Sequence, residues 1–379
     1  MRLLFVVKQS ALNRGMNTGI ENLAWSLARR VDEVIILSGG RNPSVTTYTY
    51  PNNVHYYFSG GEGDPGDHIT LYNDIRCSYH IDAVIGWSRN IGPLLQQEHD
   101  QNQRPLFIAN EGALTRSTNP FLKALSIAYR QRRLPSRYVF FQKKFGASVD
   151  SFVAISKAVA GNFSRNYAVD PDQIHVIPRG VDTNLFEPSG KRTQGAPDFR
   201  IIYSGNISFG KGVVDVAKAI ATLRTPITFV LCGTDRGALE SIRKIFDESP
   251  QHTVDYKGPL STTCLKNELQ NSDVFAFCSH SEGLGKSLLE AMSVGLPAVT
   301  SDIPTFKELI VHRENGLMAT TGDRYSIAGA LDQLINDRSL RESCGENARK
   351  TIINGFSRER EAEKWLEILM HNKPPAIGA

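Results

Sequence analysis

Short apolar runs alternate along the chain with segments of helical periodicity, and this alternation limits the available folds more than any other feature. Most runs contain four to six residues and are bounded by turn-forming residues. Runs this short and this apolar are typical of strands buried on both faces, and helices between them place such strands in parallel sheets. We therefore predict an α/β protein. The runs are LLFVV (3–7), VIIL (34–37), AVIG (83–86), LFIA (106–109), FVAI (152–155), HVIP (175–178), RIIYSG (200–205), TFVLCG (228–233), VFAFC (274–278) and PAVTS (297–301).

A polar segment rich in Pro and Gly, EPSGKRTQGAPD (187–198), divides the runs into two groups. It has no periodicity, so we predict an N-terminal domain over 1–187, a linker over 188–198 and a C-terminal domain over 199–355. The amphipathic helical pattern within 356–379 is predicted to pack back on the first domain. Each half begins with a strand, a Gly-containing loop and a helix. This pattern predicts two doubly wound, Rossmann-like domains that face a central cleft, with ligands at the carboxyl ends of the strands.

Composition excludes several classes of protein. The five cysteines are scattered without a C-x-x-C pair, and the nine histidines show no metal spacing, so we predict no disulfide framework and no metal site. No run of 18 apolar residues is present, and MRLLFVV is typical of a first strand rather than a signal peptide. A net charge of +4 does not by itself indicate nucleic acid, and no nucleic-acid motif accompanies it. We expect a cytoplasmic protein.

The segment SEGLGKSLLEAMSVGLPAVTSD (281–302) carries the clearest chemical signal. Two glutamates, Glu282 and Glu290, stand eight positions apart on either side of a Gly-rich turn that opens an apolar helix. Unpaired amides at the positive end of a helix bind phosphate. Glu290 lies within the apolar helix, where a carboxylate needs a partner, and sugar hydroxyls could donate to it. An ordinary capped helix is the alternative, but the combination indicates a nucleotide-sugar site.

A second Gly-rich loop, GNISFGKG (205–212), follows the strand IIYS. Such a turn with Lys211 as a point charge suits a diphosphate, although Gly-Lys-Gly can also be a plain turn. The strand and turn VIPRGVDTNLFEP (176–188) has no specific chemistry by itself.

Together these three motifs resemble the retaining glycosyltransferases of family 4, which have the GT-B fold. That family's usual pattern is I-P-N-G-V-D, then a Gly-Arg…Lys-Gly loop, then E-x7-E followed by A-x-x-x-G-x-P-V. The matching segments here are 176–182, Lys211-Gly212, and Glu282 to Glu290 followed by Ala291 and Pro297. The resemblance covers most of residues 150–360.

The resemblance implies a role for individual residues. Glu290 would bind the ribose hydroxyls of the donor, and Glu282 would contact hydroxyls of the transferred sugar. Lys211 would hold the diphosphate, and Gly19 would approach the phosphates from the other domain. Backbone amides of the turn would complete the phosphate site, namely those of Leu284, Gly285, Lys286 and Ser287. The donor would be a UDP- or GDP-sugar, and the family generally needs no divalent metal.

Three positions depart from the family pattern. Asn206 stands in the phosphate-binding loop where Arg is usual, so one positive charge on the diphosphate is missing. Arg179 replaces the usual Asn and is a candidate to compensate. Many members place a His after the fourth strand of the first domain, and we assign Glu111 to that position as a contact of donor or acceptor sugar. A solvated loop carboxylate is the alternative interpretation of Glu111.

A basic, aromatic-rich stretch occupies 116–144 and contains no acidic residue. It suits contact with anionic lipid or a phosphorylated acceptor, and a solvated basic face is the alternative. His280 flanks the donor motif and could line the site or be structural.

The resulting expectation is a retaining transferase that moves a hexose-type sugar to a hydroxyl of a glycan or lipid-linked acceptor. The pathway expected is cell-envelope or polysaccharide biosynthesis, including lipopolysaccharide, at the inner face of the cell membrane. The alternatives are a GT-B epimerase or phosphorylase, or a non-catalytic sugar-nucleotide binder.

Overall fold

The computed structural model describes residues 1–7, 19–39, 50–60, 68–86, 88–95, 97–98, 104–111, 149–161, 170–189 and 199–371. The chain divides into two compact units, the first comprising residues 1–178 with 361–379 and the second residues 179–360. The basic stretch at 116–144 and most of the expected linker lie outside the described residues.

The first unit contains a seven-stranded parallel sheet in the order β3-β2-β1-β4-β5-β6-β7. The strands are β1 Arg2–Val7, β2 Glu33–Ser38, β3 Val54–Phe58, β4 Ala83–Gly86, β5 Leu106–Glu111, β6 Ser151–Ala154 and β7 Ile174–Val176. The helices between them are α1 Gly19–Ala28, α2 Ile69–Ser78 and α3 Ser88–Leu95, with a 3-10 turn at Pro171–Gln173.

The second unit contains a six-stranded parallel sheet in the order β10-β9-β8-β11-β12-β13. Its strands are β8 Phe199–Ser204, β9 Ile227–Cys232, β10 Thr253–Gly258, β11 Val274–Phe277, β12 Ala298–Ser301 and β13 Leu317–Ala319. Its helices are α4 Val213–Ile220, α5 Leu239–Asp247, α6 Thr262–Gln270, α7 Lys286–Ser293, α8 Pro304–Lys307, α9 Arg324–Asn336 and α10 Arg338–Gly355, with a 3-10 turn at Phe209–Lys211. The predicted α/β fold with two doubly wound domains is confirmed.

Three strands have no counterpart among the apolar runs, and all three lie at the edge of a sheet. β3 and β10 are mostly half-buried, and β13 has only three residues. An edge strand is flanked by only one other strand and is less buried than a central one, so its sequence need not be continuously apolar. The runs therefore predict the centre of each sheet better than its borders.

The last helix, α11 Arg358–His371, contributes its apolar face to the core of the first unit. Ala362, Trp365, Ile368 and Leu369 are buried there with residues of β1, β2 and α1. Residues 179–189 belong to the second unit, whereas we expected the first domain to continue to 187. The domain boundaries at 187 and 199 stay a prediction.

Arg349 of α10 explains why the chain after Pro178 joins the second unit. Its guanidinium donates to the carbonyl oxygens of Thr183, Phe186 and Ser293 at 2.6–2.9 Å. Burial lowers the pKa of this guanidinium, and the three carbonyls satisfy its donors. Arg349 thereby fixes the 183–186 turn against the C-terminal end of α7, the helix that carries the candidate site.

Candidate functional site

The topology of the second sheet identifies where a ligand would bind. From β8 the chain proceeds to β9 and β10 on one side, and then to β11, β12 and β13 on the other. The order therefore reverses between β8 and β11, and crevices at such reversals bind ligands in open α/β sheets. The two Gly-rich motifs follow these two strands directly.

The lysine loop after β8 is held against the end of β11 by its backbone. Gly212 has φ of 66°, and a Cβ placed on it would lie 1.9 Å from the carbonyl oxygen of Cys278. A side chain at this position is therefore excluded by both conformation and space. The backbone N–H of His280 donates to the Gly210 carbonyl at 3.2 Å, which joins the two motifs from the other side.

The turn after β11 leads into α7 through Gly285, which has φ of 85°. A Cβ on Gly285 would lie 3.0 Å from a ring carbon of Phe277 and 3.2 Å from one of Phe306. In the described part of the chain, no group accepts a hydrogen bond from the backbone N–H groups of residues 284–287. Four available amides at the start of a helix form an arrangement that binds anions.

Lys211 and Glu282, which are 71 residues apart in sequence, form an ion pair. The distance from Lys211 Nζ to Glu282 Oε1 is 2.5 Å. Glu282 is mostly buried, and its backbone carbonyl accepts a hydrogen bond from Thr305 Oγ1 at 2.9 Å. The phenol of Tyr203 is also buried nearby, and burial together with the Glu282 charge raises its pKa. The pair thus joins the β8 motif to the β11 motif.

Glu290 forms a second ion pair, with Lys286 one turn earlier on α7. The distance from Lys286 Nζ to Glu290 Oε1 is 3.1 Å, and the Glu290 side chain is 7% exposed against 59% for Lys286. Burial raises the pKa of Glu290, while the charges of Lys286 and Arg358 act in the opposite direction. Arg358 itself bonds Asp182 Oδ2 at 2.8 Å, which places the end of the 176–182 motif near Glu290.

His280 proves to have a specific partner. Its Nε2 lies 2.8 Å from Asp215 Oδ2, in the first turn of α4. Since α4 follows the lysine loop directly, this contact is another link between the two motifs. The sequence left open whether His280 lines the site or is structural, and the contact with Asp215 supports the structural interpretation.

The remaining predicted residues are placed as follows. Leu284 is buried and Ser287 half-buried in the turn. Asn206 is exposed, and its backbone carbonyl accepts a hydrogen bond from Tyr203 Oη at 2.8 Å. Gly19 is the first residue of α1, and Glu111 is the last residue of β5, paired in register with Ala154. We predicted Glu111 to follow the strand, two positions beyond the apolar run that ends at 109.

Sequence reasoning missed the contributions of Arg358, Asp215 and Tyr203. The Arg358 charge acts on Glu290 from a segment in which 179–182 pairs with 356–358, where Val181 N donates to the Phe356 carbonyl and Arg358 N to the Val181 carbonyl. Nothing local in the sequence signals that pairing. Asp215 could have been predicted, because it lies three residues after Gly212 in the first turn of the helix, where acidic residues are common.

This arrangement can bind a polyanion that carries a sugar. Four amides and Lys211 attract phosphate, and two carboxylates accept hydrogen bonds from hydroxyl groups. No cluster of three or more His, Cys, Asp and Glu side chains suited to a metal is found among the described residues.

Comparisons with known proteins identify related families. A family model described as glycosyl transferases group 1 matches residues 189–351, and one described as glycosyltransferase family 4 matches residues 13–185. A D-inositol 3-phosphate glycosyltransferase of Paenarthrobacter aurescens is 27% identical over 266 residues, which are 67% of this chain and 65% of that protein. The match therefore spans a little under two thirds of that curated relative.

Solved structures share the fold over nearly the full length of the chain. Sucrose-phosphate synthase from Thermosynechococcus elongatus has a TM-score of 0.79 at 16% identity, with 98% of each chain covered. HepE of Anabaena, solved with UDP and glucose, has a TM-score of 0.72 at 17% identity, covering 98% of this chain and 100% of that one.

Two family models match consecutive parts of the chain, and both domains have the architecture of the solved neighbours. The chain belongs to the group 1, family 4 glycosyltransferases, which have the GT-B fold.

Proposed function

We propose that this protein is a retaining glycosyltransferase that moves a hexose-type sugar from a nucleoside diphosphate to a hydroxyl of a glycan or lipid-linked acceptor. The observation that carries the proposal is the pair of glutamates at the sheet reversal, each with a lysine partner. Between them lie four amides that have no hydrogen-bond acceptor among the residues the structure describes. These groups form a phosphate site next to two carboxylates that can accept hydrogen bonds from hydroxyl groups, as a nucleotide-sugar requires.

Each residue has a defined task in this proposal. Glu290 accepts hydrogen bonds from the ribose hydroxyls, and Glu282 accepts them from the transferred sugar. The amides of residues 284–287 and the ammonium group of Lys211 bind the diphosphate, which acquires negative charge as the glycosidic bond breaks. Stabilising that charge in a site from which water is excluded is the main catalytic effect expected.

The bond to the anomeric carbon is broken and remade, and the nucleoside diphosphate leaves. We propose that the acceptor hydroxyl attacks on the face that the diphosphate leaves, so that the anomeric configuration is retained. Gly19 and Glu111 are assigned to the same reaction from the first domain, as contacts of the phosphates and of a sugar. A divalent metal is not required in this proposal, and the donor base is uracil or guanine.

The structural neighbour HepE binds UDP, which supports a nucleoside diphosphate donor here. The test is incubation with UDP- and GDP-hexoses and a panel of hydroxyl acceptors, followed by NMR assignment of the anomeric proton of the product. Retention supports the proposal, and an inverted product contradicts it. Epimerised donor without acceptor would indicate an epimerase, and release of sugar phosphate a phosphorylase. Donor binding without any turnover would indicate a non-catalytic binder, which the replacement of Arg by Asn206 would explain.

We further propose that the basic stretch at 116–144 brings the protein to the inner face of the cell membrane for polysaccharide or lipopolysaccharide assembly. The support is its sequence, in which Lys and Arg alternate with aromatic residues without any acid. None of the described helices is long and apolar enough to cross a membrane. Sedimentation with vesicles of anionic and of neutral lipid tests this. Equal binding to both, or none to either, would contradict it.

A further inference from the structure

The pair formed by Lys286 and Glu290 is oriented against ordinary helix preferences. Lys286 is the first residue of α7, where the positive end of the helix disfavours a cation. It also precedes its glutamate by four positions, whereas the favourable order places the glutamate first. Helix stability therefore gives no reason for a lysine at this position, which makes a functional reason worth testing.

The carboxylate of Glu290 depends on Lys286 because few other groups compensate its burial. The strands next to α7, β11 and β12, consist of Val-Phe-Ala-Phe and Ala-Val-Thr-Ser, and neither contains a titratable side chain. From α10, Arg349 is committed to carbonyls at the far end of the helix, and the pKa of the buried Cys344 thiol is raised, so it stays neutral. Beyond α10, Arg358 is bonded to Asp182.

The two oxygens of Glu290 are not equivalent. Lys286 lies 3.1 Å from Oε1, and no described residue donates a hydrogen bond to Oε2. A carboxylate with one oxygen held and the other available suits the two adjacent hydroxyls of a ribose, which both donate. A protonated or rotated carboxyl would lose one of these acceptors.

We propose that Lys286 is a positioning residue for nucleotide recognition, which keeps Glu290 ionised and holds its carboxylate so that the ribose hydroxyls can bind. The inference rests on the proposed function, because it assigns Glu290 to the ribose. The role proposed here belongs to the Lys286 side chain, whereas the phosphate site uses only the backbone amide of Lys286. In this account the Lys286 side chain acts through Glu290 and makes no contact with the phosphates.

The sign of the pH dependence follows from the geometry. Burial raises the pKa of Glu290, and Lys286 lowers it. Removing the lysine therefore lets Glu290 take up a proton at a higher pH than in the wild type. Nucleotide affinity in such a variant should fall further as the pH falls through the Glu290 pKa, and recover at high pH.

The test measures dissociation constants for UDP and GDP, and for the 2′-deoxy form of whichever binds more tightly, between pH 5 and 9. Lys286→Met should weaken binding of the ribonucleotide by about 10-fold near neutral pH, the scale of one charge-assisted hydrogen bond, and by more at pH 5. The preference for ribose over 2′-deoxyribose should shrink with it. Lys286→Arg should restore both, because a guanidinium supplies the same charge.

Controls separate this role from a general effect. Lys244→Met removes another i,i+4 lysine, paired with Glu240 at 3.8 Å on α5, and should change nothing. In a Glu290→Gln background, Lys286→Met should have no further effect, since the two residues act as one unit.

Three results would overturn the inference. The first is an unchanged nucleotide affinity in Lys286→Met, and the second is an additive loss of affinity in the Glu290→Gln background. The third is a loss of affinity for UDP or GDP but not for UMP or GMP, which would make Lys286 a phosphate ligand. If the wild type bound neither UDP nor GDP, the proposed function itself would fail and this inference with it.

Discussion

The two ion pairs of the site differ in how the chain builds them. Lys211 and Glu282 come from loops after two different strands, and their contact exists only when β8 and β11 lie side by side. Lys286 and Glu290 lie one turn apart on a single helix. The first pair therefore depends on the tertiary fold, whereas the second could form wherever α7 forms. Their proposed tasks differ in the same way, since the first serves the bond that breaks and the second serves recognition.

The largest effect should come from the tertiary pair. Lys211→Ala should lower kcat by roughly 100-fold or more, on the scale of losing one donor to a developing oxyanion. Steady-state kinetics would measure it, with the donor and acceptor that the product assay identifies. Lys218→Ala, an exposed lysine on α4, is the matched control and should retain wild-type turnover. An unchanged kcat for Lys211→Ala would remove that residue from the mechanism.

The local pair should affect binding more than turnover. Glu290→Gln keeps the shape of the side chain but loses an acceptor, so the donor KM should rise by about 10-fold or more with a smaller change in kcat. Initial rates at varied donor concentration would separate the two constants. A fall in kcat with an unchanged KM would place Glu290 with the bond-breaking step instead.

A change at Glu282 separates the pairing of Lys211 with Glu282 from the binding of phosphate by Lys211. Glu282→Gln removes the carboxylate that competes with phosphate for the lysine, so UDP or GDP should bind at least as tightly as to the wild type. Turnover should nevertheless fall by about 10-fold, because a contact to the transferred sugar is weakened. Calorimetry and kinetics on the same variant provide the comparison. Weaker nucleoside diphosphate binding would mean that Glu282 holds Lys211 in place rather than competing for it.

The smallest effect tests how the lysine loop is held. Gly212→Ala places a Cβ 1.9 Å from the Cys278 carbonyl at φ of 66°, so the free energy of unfolding should fall by about 1–3 kcal/mol. Gly210→Ala, two residues earlier, has open space for the same methyl group and should be close to neutral. Denaturant unfolding of both variants measures the difference. Equal stability of the two would show that the loop can move away from β11.

The contrast between the pairs also explains how much the sequence could predict. The centre of each sheet was predicted correctly, because buried strands leave continuous apolar runs, and the Gly-rich turns and the spacing of Glu282 and Glu290 are equally local patterns. Edge strands such as β3 and β10 were missed because half-buried residues give no continuous apolar run. The effect of the Arg358 charge on Glu290 accompanies the pairing of 179–182 with 356–358, and no local signal exists for that pairing.

Gly19 and Glu111 show a different limit. The sequence placed both after strands of the first domain, and the structure places them at the start of α1 and the end of β5. Their roles came only from resemblance to the family, so their assignment to the reaction remains a prediction. Substitution of each residue, with the donor KM and the acceptor KM measured separately, would decide which substrate it contacts.

The central claim is that the sheet reversal between β8 and β11 binds a nucleoside diphosphate. The most direct measurement is thermal unfolding of the whole chain with a panel of nucleoside mono- and diphosphates and nucleotide-sugars, with and without Mg²⁺. We predict stabilisation by the diphosphates and sugars of one base, independent of Mg²⁺ and reaching about 2.7 kcal/mol at 100 times the dissociation constant. The same shift should be reduced in both Lys211→Ala and Glu290→Gln. Absence of any shift across the panel, or a shift that both variants retain in full, would contradict the account.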